Sequence, residues 1–165
     1  MRAIELVWAP KTLVVPGSWK VVTGTAKMPA TAFRMAKGRS YILPRKWHWR
    51  VDGLSSEKGD FRLLTSYDPH KWEYKAWLGL VRAHDCPIVA ALEFHGSHGG
   101  WHCHMAKCSV ADLDSSDTRP RYFSRCPRVS GKIQAVTFEM SETTAIAKAF
   151  KFFRVGSADK GELGL

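Results

Sequence analysis

The stretch CPIVAALEFHGSHGGWHCHM, residues 86–105, leaves the chain few ways to fold. Its first nine residues are an apolar, partly β-branched run bounded by Pro87 and Gly96, the signature of a buried strand. The segment HGSHGG, with Gly96, Gly99 and Gly100, is a turn by composition, and WHCHMAKCSV returns beside the first run as a second strand. A β-hairpin is therefore expected here, and it carries four of the chain's seven histidines within ten positions.

Side chains alternate along a strand, so His102 and His104 share one face while Trp101, Cys103 and Met105 take the other. On the preceding strand Val89, Ala91 and Glu93 share a face, and closure of the hairpin through residues 95–100 brings the Glu93 carboxylate to the two imidazoles. Two histidines and a carboxylate with open positions suit a divalent ion that also accepts a phosphate oxygen. Mg²⁺ or Mn²⁺ is favoured over Zn²⁺, because Cys103 faces away and Cys108 is too far along the strand to complete a closed tetrahedral site. His95 and His98 fall in the turn, as outer groups, substrate-facing groups or simply exposed residues.

The rest of the 165 residues reads as one domain. Residues 4–8, 12–15, 19–23 and 47–51 are rich in β-branched and aromatic residues between Pro and Gly punctuation, so residues 1–60 form a β-rich part. A short basic helix is expected over ATAFRMAKGR, residues 30–39, and a loop over residues 52–60. After a strand at 61–65, Asp68 and Pro69 open a helix in which His70, Tyr74, Trp77, Leu78 and Val81 make one stripe at helical period. Residues 111–132 are polar loop with a short strand at Tyr122 and Phe123, and residues 133–138 are a strand. Ser141 caps a last helix ending near Gly156, with Ile146, Ala149, Phe150 and Phe153 buried and Lys148, Lys151 and Arg154 outward.

No apolar run approaches the ~20 residues a bilayer requires, and the start MRAIELVWAPKTL has no secretory apolar region, which points to a cytoplasmic protein without membrane contact. Four cysteines without a CxxC pair read as free thiols. A net charge of +10 favours polyanionic partners, nucleic acid first. The segment PRKWHWR interleaves Arg45 and Lys46 with Trp47 and Trp49, and Arg119, Arg121 and Arg125 cluster further on. Together with Trp101 these residues form a candidate surface for phosphates and bases.

The order FRLLT, helix, VAALEF, Gly-rich turn, WHCHMA, QAVTFEM and C-terminal helix SETTAIAKAFKFFRVG resembles the HUH endonucleases, replication initiators and relaxases of mobile elements. The likeness spans about residues 61–156, and its specific part is the glutamate with the HxH pair. It implies an α+β fold, an antiparallel sheet with flanking helices on a ferredoxin-like or RRM-like core. It also implies a divalent metal at Glu93, His102 and His104, and single-stranded DNA as substrate for nicking or strand transfer in replication or mobilisation. In that family a tyrosine on the last helix precedes a lysine by three or four positions and becomes joined to the 5′ phosphate. Counting back from Lys148 and Lys151 meets Thr144, Ala145, Ala147 and Lys148, so the nucleophile has no counterpart there. Tyr122, among the arginines, is the substitute, with Lys148 and Lys151 on the phosphate. Two other expectations stand beside this one: a binding module for single-stranded DNA or RNA without the chemistry, and a mobile-element protein that inhibits a host nucleic-acid machine through its basic face.

Overall fold

The computed structural model describes residues 1–24, 26–36, 39–97, 100–116, 118, 123–125 and 139–156. In chain order the elements are α1 (Ala3–Trp8), β1 (Lys11–Val15), β2 (Lys20–Val21), β3 (Ala26–Lys27), β4 (Ile42–Leu43), β5 (His48–Ser56) and β6 (Gly59–Asp68). They continue with β7 (Glu73–Leu80), β8 (Ile88–His95), β9 (Gly100–Ala106), β10 (Phe123–Arg125), α2 (Glu142–Phe152) and β11 (Val155–Gly156). One nine-stranded sheet runs β10-β9-β8-β7-β6-β5-β1-β11, with β2 also on β5, while β3 and β4 pair separately. Strands β5 to β9 are successive antiparallel neighbours, and β11 joins β1 in parallel. The mixed sheet curls into a half-barrel.

Each face of the sheet is covered by a different part of the chain. Tyr67, Tyr74, Ala76, Leu78, Ala90, Leu92, Phe94, Cys103 and Met105 pack against both helices through Ala3, Leu6, Val7, Ala145, Ala149 and Phe153. On the other face Trp49, Leu64, Trp77, Ile88 and Ala91 meet Val22, Met28, Phe33 and Leu43 from the N-terminal segments.

This architecture overturns the expected α+β class with an HUH-type, ferredoxin-like or RRM-like core: the protein is mostly β, and its sheet is a large curled one. Most of the difference lies in residues 68–81. The expected helix is the strand β7, paired from Glu73↔Asp68 to Leu80↔Phe61 with β6. Asp68 does cap backbone N–H groups, accepting from His70 at 2.9 Å and Lys71 at 3.3 Å, but it closes a turn rather than opening a helix. Tyr74, Ala76, Leu78 and Leu80 face the helices and Trp77 faces away. With both faces buried, the period-two pattern is masked and aromatic residues at helical spacing mislead.

Three smaller differences have local causes. Residues 4–8 are helical because Ala3, Leu6 and Val7, at i, i+3 and i+4, all turn inward. The loop expected at 52–60 is a hairpin, β5 and β6 joined at Glu57 and Lys58, with Gly59 at φ +132°. No α-helix forms among the described residues of 30–39; Ala32 and Phe33 donate to the Pro29 carbonyl in a turn instead. The strands at 12–15, 61–65 and 86–94, the hairpin, and the helix capped by Ser141 are present. The expected strand at 133–138 and Tyr122 lie outside the described residues. No helix among the described residues is long and apolar enough to cross a membrane.

Buried polar groups tie the helices to the sheet. The Tyr74 hydroxyl donates to the Ala145 carbonyl at 3.0 Å. The Lys11 ammonium, on a 3 % exposed residue, donates to the carbonyls of Val7 at 2.9 Å, Ala9 at 2.8 Å and Phe153 at 3.3 Å. Burial, with the Arg154 charge nearby, pushes the Lys11 pKa down to about 8. Tyr74→Phe should destabilise the protein by about 1 kcal/mol in chemical denaturation, the net worth of one buried hydrogen bond. Between pH 8 and the ordinary lysine value of 10.5, only the unfolded chain keeps the Lys11 proton. Wild-type stability relative to Lys11→Met should therefore rise with pH across that window and stay level, at its lowest, below it, as read from denaturation midpoints at several pH values.

Candidate metal centre

The site follows from strand register. Lys75 of β7 stands opposite Glu93 of β8, which stands opposite His102 of β9. Directly paired residues share a face, so one row across the sheet runs Trp49, Ser66, Lys75, Glu93 and His102. The neighbouring rows on that face contribute His95, opposite Glu73, and His104, opposite Ala91.

Glu93 is 1 % exposed. The Trp77 indole N–H donates to its Oε1 at 3.2 Å, and its Oε2 lies 3.3 Å from His102 Nε2 and 3.6 Å from His95 Nε2. The His95 and His102 rings stack with centroids 5.0 Å apart, and His104 meets His102 edge-on at 5.2 Å. His102 Nδ1 sits 3.3 Å from the Gly100 carbonyl; with the proton on Nδ1 it donates there, and Nε2 is left as a ligand atom. Burial lowers the His95 pKa most, against the opposing pull of Glu93, so this imidazole favours its neutral, ligating form.

Glu93, His95 and His102 each offer one ligand atom, all within 4.8 Å of one another, and the group could hold a metal ion. Ligands on a common ion at ~2.1 Å are about 3.0–3.4 Å apart at octahedral or tetrahedral angles. The two glutamate–imidazole separations are close to that range, and Glu93 and His102 already have outer partners that aim them. Three ligands of this kind leave positions open for water or substrate.

Of the residues expected as ligands, Glu93 and His102 are brought together, and His104 lies beside them on the same face. His95, expected as an outer group of the turn, supplies the third atom. β8 extends through His95, so Glu93 and His95 share a face by the same alternation that pairs His102 with His104. That signal was present in the sequence as E-F-H.

The expected catalytic lysines lie elsewhere. Lys148 and Lys151 are on α2, across the sheet, with the Lys148 ammonium 4.1 Å from the centroid of the Trp101 ring. Trp101 also packs against Tyr74 and Phe94, on the face away from the metal group. Trp47 and Trp49 are buried, their rings covered by Lys75 and Lys20 at 5.0 and 5.1 Å. Arg45 and Lys46 are exposed just before β5, and Arg125, on β10, is exposed opposite His104. Tyr122, Arg119, Arg121 and His98 lie outside the described residues. No family model matches the chain, and no curated protein or solved structure is found to be similar to it.

Titration with Mn²⁺ or Zn²⁺ by calorimetry should give one ion per chain, lost in Glu93→Gln. Trp77→Phe, which removes only the outer hydrogen bond, should weaken the affinity by about 10- to 100-fold. Because protons compete for the imidazoles, affinity should fall at low pH, with the His95 share of the loss coming below pH 6.5, its ordinary value.

Proposed function

We propose that the protein is a divalent-metal-dependent phosphodiesterase of single-stranded DNA, with the ion held by Glu93, His95 and His102. The observation that carries this reading is the buried Glu93 carboxylate facing two part-exposed imidazoles at 3.3 and 3.6 Å in a chain with net charge +10. A bound divalent ion supplies charge to a phosphoryl oxygen and acidifies water. Trp77 fixes the carboxylate that would hold it. Lys75, in register with Glu93, and Arg125, opposite His104, place positive charge where a DNA backbone would cross the face. His104, edge-on to His102, is the group suited to give a proton to the leaving oxygen as the P–O ester bond breaks, while the attacking water, in bonding to phosphorus, releases its proton to solvent.

Among the tyrosines of the described residues none is placed as a nucleophile, so water is the attacking group in this reading. Tyr67 and Tyr74 are buried on the helix face, where burial pushes both phenol pKa values up. Tyr41 packs on Trp77 with ring centroids 4.5 Å apart. Labelled single-stranded DNA incubated with protein and Mn²⁺, then boiled in detergent, should yield free cleavage products. Cleavage should be lost in Glu93→Gln and reduced in His104→Ala. A covalent protein–DNA adduct would replace water by a tyrosine as the nucleophile, and an intact strand under Mg²⁺, Mn²⁺ and Zn²⁺ alike would remove the nuclease reading.

A further inference from the structure

We propose that Trp72 is a base-stacking platform that seats one nucleotide of single-stranded DNA beside the metal group, an inference that rests on the nuclease reading above. Trp72 stands at the tip of the β6–β7 turn and is 53 % exposed, the one described tryptophan more than half exposed to solvent. The others are covered: Trp47, Trp49 and Trp77 are buried, Trp101 lies under Lys148, Trp8 lies against Phe152, and Trp19 lies against Tyr67.

Its backbone is as unusual as its exposure. Trp72 has φ +53°, in the left-handed region that favours glycine or asparagine. A turn that only had to reverse the chain would carry one of those residues. Here the surrounding contacts fix the conformation around an indole that fills no core. Asp68 accepts from the His70 and Lys71 N–H groups, and the Trp72 carbonyl accepts from the Gly96 N–H at 3.1 Å. Non-glycine residues held this way cluster at functional sites, where surrounding structure offsets the strain.

The Trp72 backbone lies beside the strand end that carries His95. Gly96 follows His95 directly, and Glu73, which follows Trp72, pairs with His95 across the strands. A Cβ at Gly96 would lie 3.1 Å from the Trp72 Cβ, so the two turns touch. His70 and Lys71, both exposed, flank the indole with a polar edge and a positive charge. An aromatic face next to a cation is how proteins grip single strands, whose bases present open π faces that a duplex conceals. The adjoining charge argues for a nucleotide over an apolar protein partner.

The test compares wild type with Trp72→Gly and Trp72→Phe, measuring anisotropy of a fluorescein-labelled oligodeoxythymidylate in Ca²⁺ at fixed salt and Mn²⁺ affinity by calorimetry. Glycine adopts φ +53° freely, so Trp72→Gly should fold, and its thermal midpoint verifies this. Trp72→Gly should bind the oligonucleotide about 5- to 150-fold more weakly, the loss of one base stack. Trp72→Phe should stay within a few-fold of wild type, and Mn²⁺ affinity should be unchanged in both. Equal DNA binding by wild type and Trp72→Gly would overturn the platform and leave the nuclease reading standing. Loss of Mn²⁺ affinity in Trp72→Gly would reduce Trp72 to a prop for the metal turn and overturn the platform as well. Wild type that does not bind the oligonucleotide would remove both.

Discussion

A carboxylate taken almost wholly out of water in the middle of a sheet must be met by donors or by positive charge, because an uncompensated buried ion costs far more than one hydrogen bond returns. Glu93 is in that position, and its partners are the Trp77 indole N–H on one oxygen and two imidazoles on the other. Those partners come from three adjacent strands: Trp77 from β7, His95 from β8 itself, and His102 from β9. A slip of one residue in either pairing would turn Trp77 or His102 to the opposite face and leave the carboxylate stranded. The geometry of the candidate metal centre and the register of the central hairpins are therefore one constraint seen twice.

The division of labour between the two faces follows from the same register. Residues alternating with the site side chains, such as Phe94, Trp101 and Cys103, are committed to packing with the others of the helix-side cluster. Both helices belong to that side, and Lys11 fastens their C-terminal carbonyls to β1. The opposite face is covered by Val22, Met28, Phe33 and Leu43, whose cluster takes in Trp77 and Ala91 and leaves His95 and His102 part-exposed beyond it. A polar group is thus supported by doubly buried strands while His95 and His102 stay part-exposed, an arrangement suited to holding ligands in fixed positions.

Much of the site was legible because alternation on a strand is a strong local rule. Glu93 and His102 follow from it, and His104 follows as their neighbour on the same face. His95 was obscured by its glycine-flanked context, which marks a turn even though the strand runs one residue further than composition suggests. The basic and aromatic segment around Trp47 and Trp49 misled for a different reason. Interleaved tryptophan and arginine describe a nucleic-acid surface and a half-buried strand equally well, and here the strand closes over both indoles. Trp72 gave no sequence signal, since its exposure and its positive φ are both products of the turn.

By itself the sequence determined the local pieces: the glycine-broken hairpin, the alternation that puts Glu93 and His102 on one side, the Ser141-capped helix, and a net charge of +10. Tertiary structure alone decided that residues 73–80 are a strand, that the sheet curls into a half-barrel, and that Lys148 stands across the sheet from the histidines. The physical reason is burial on both sides. Once a strand is covered on each face its hydrophobic pattern no longer distinguishes period two from period three and a half, and only the neighbours that cover it fix which conformation it takes.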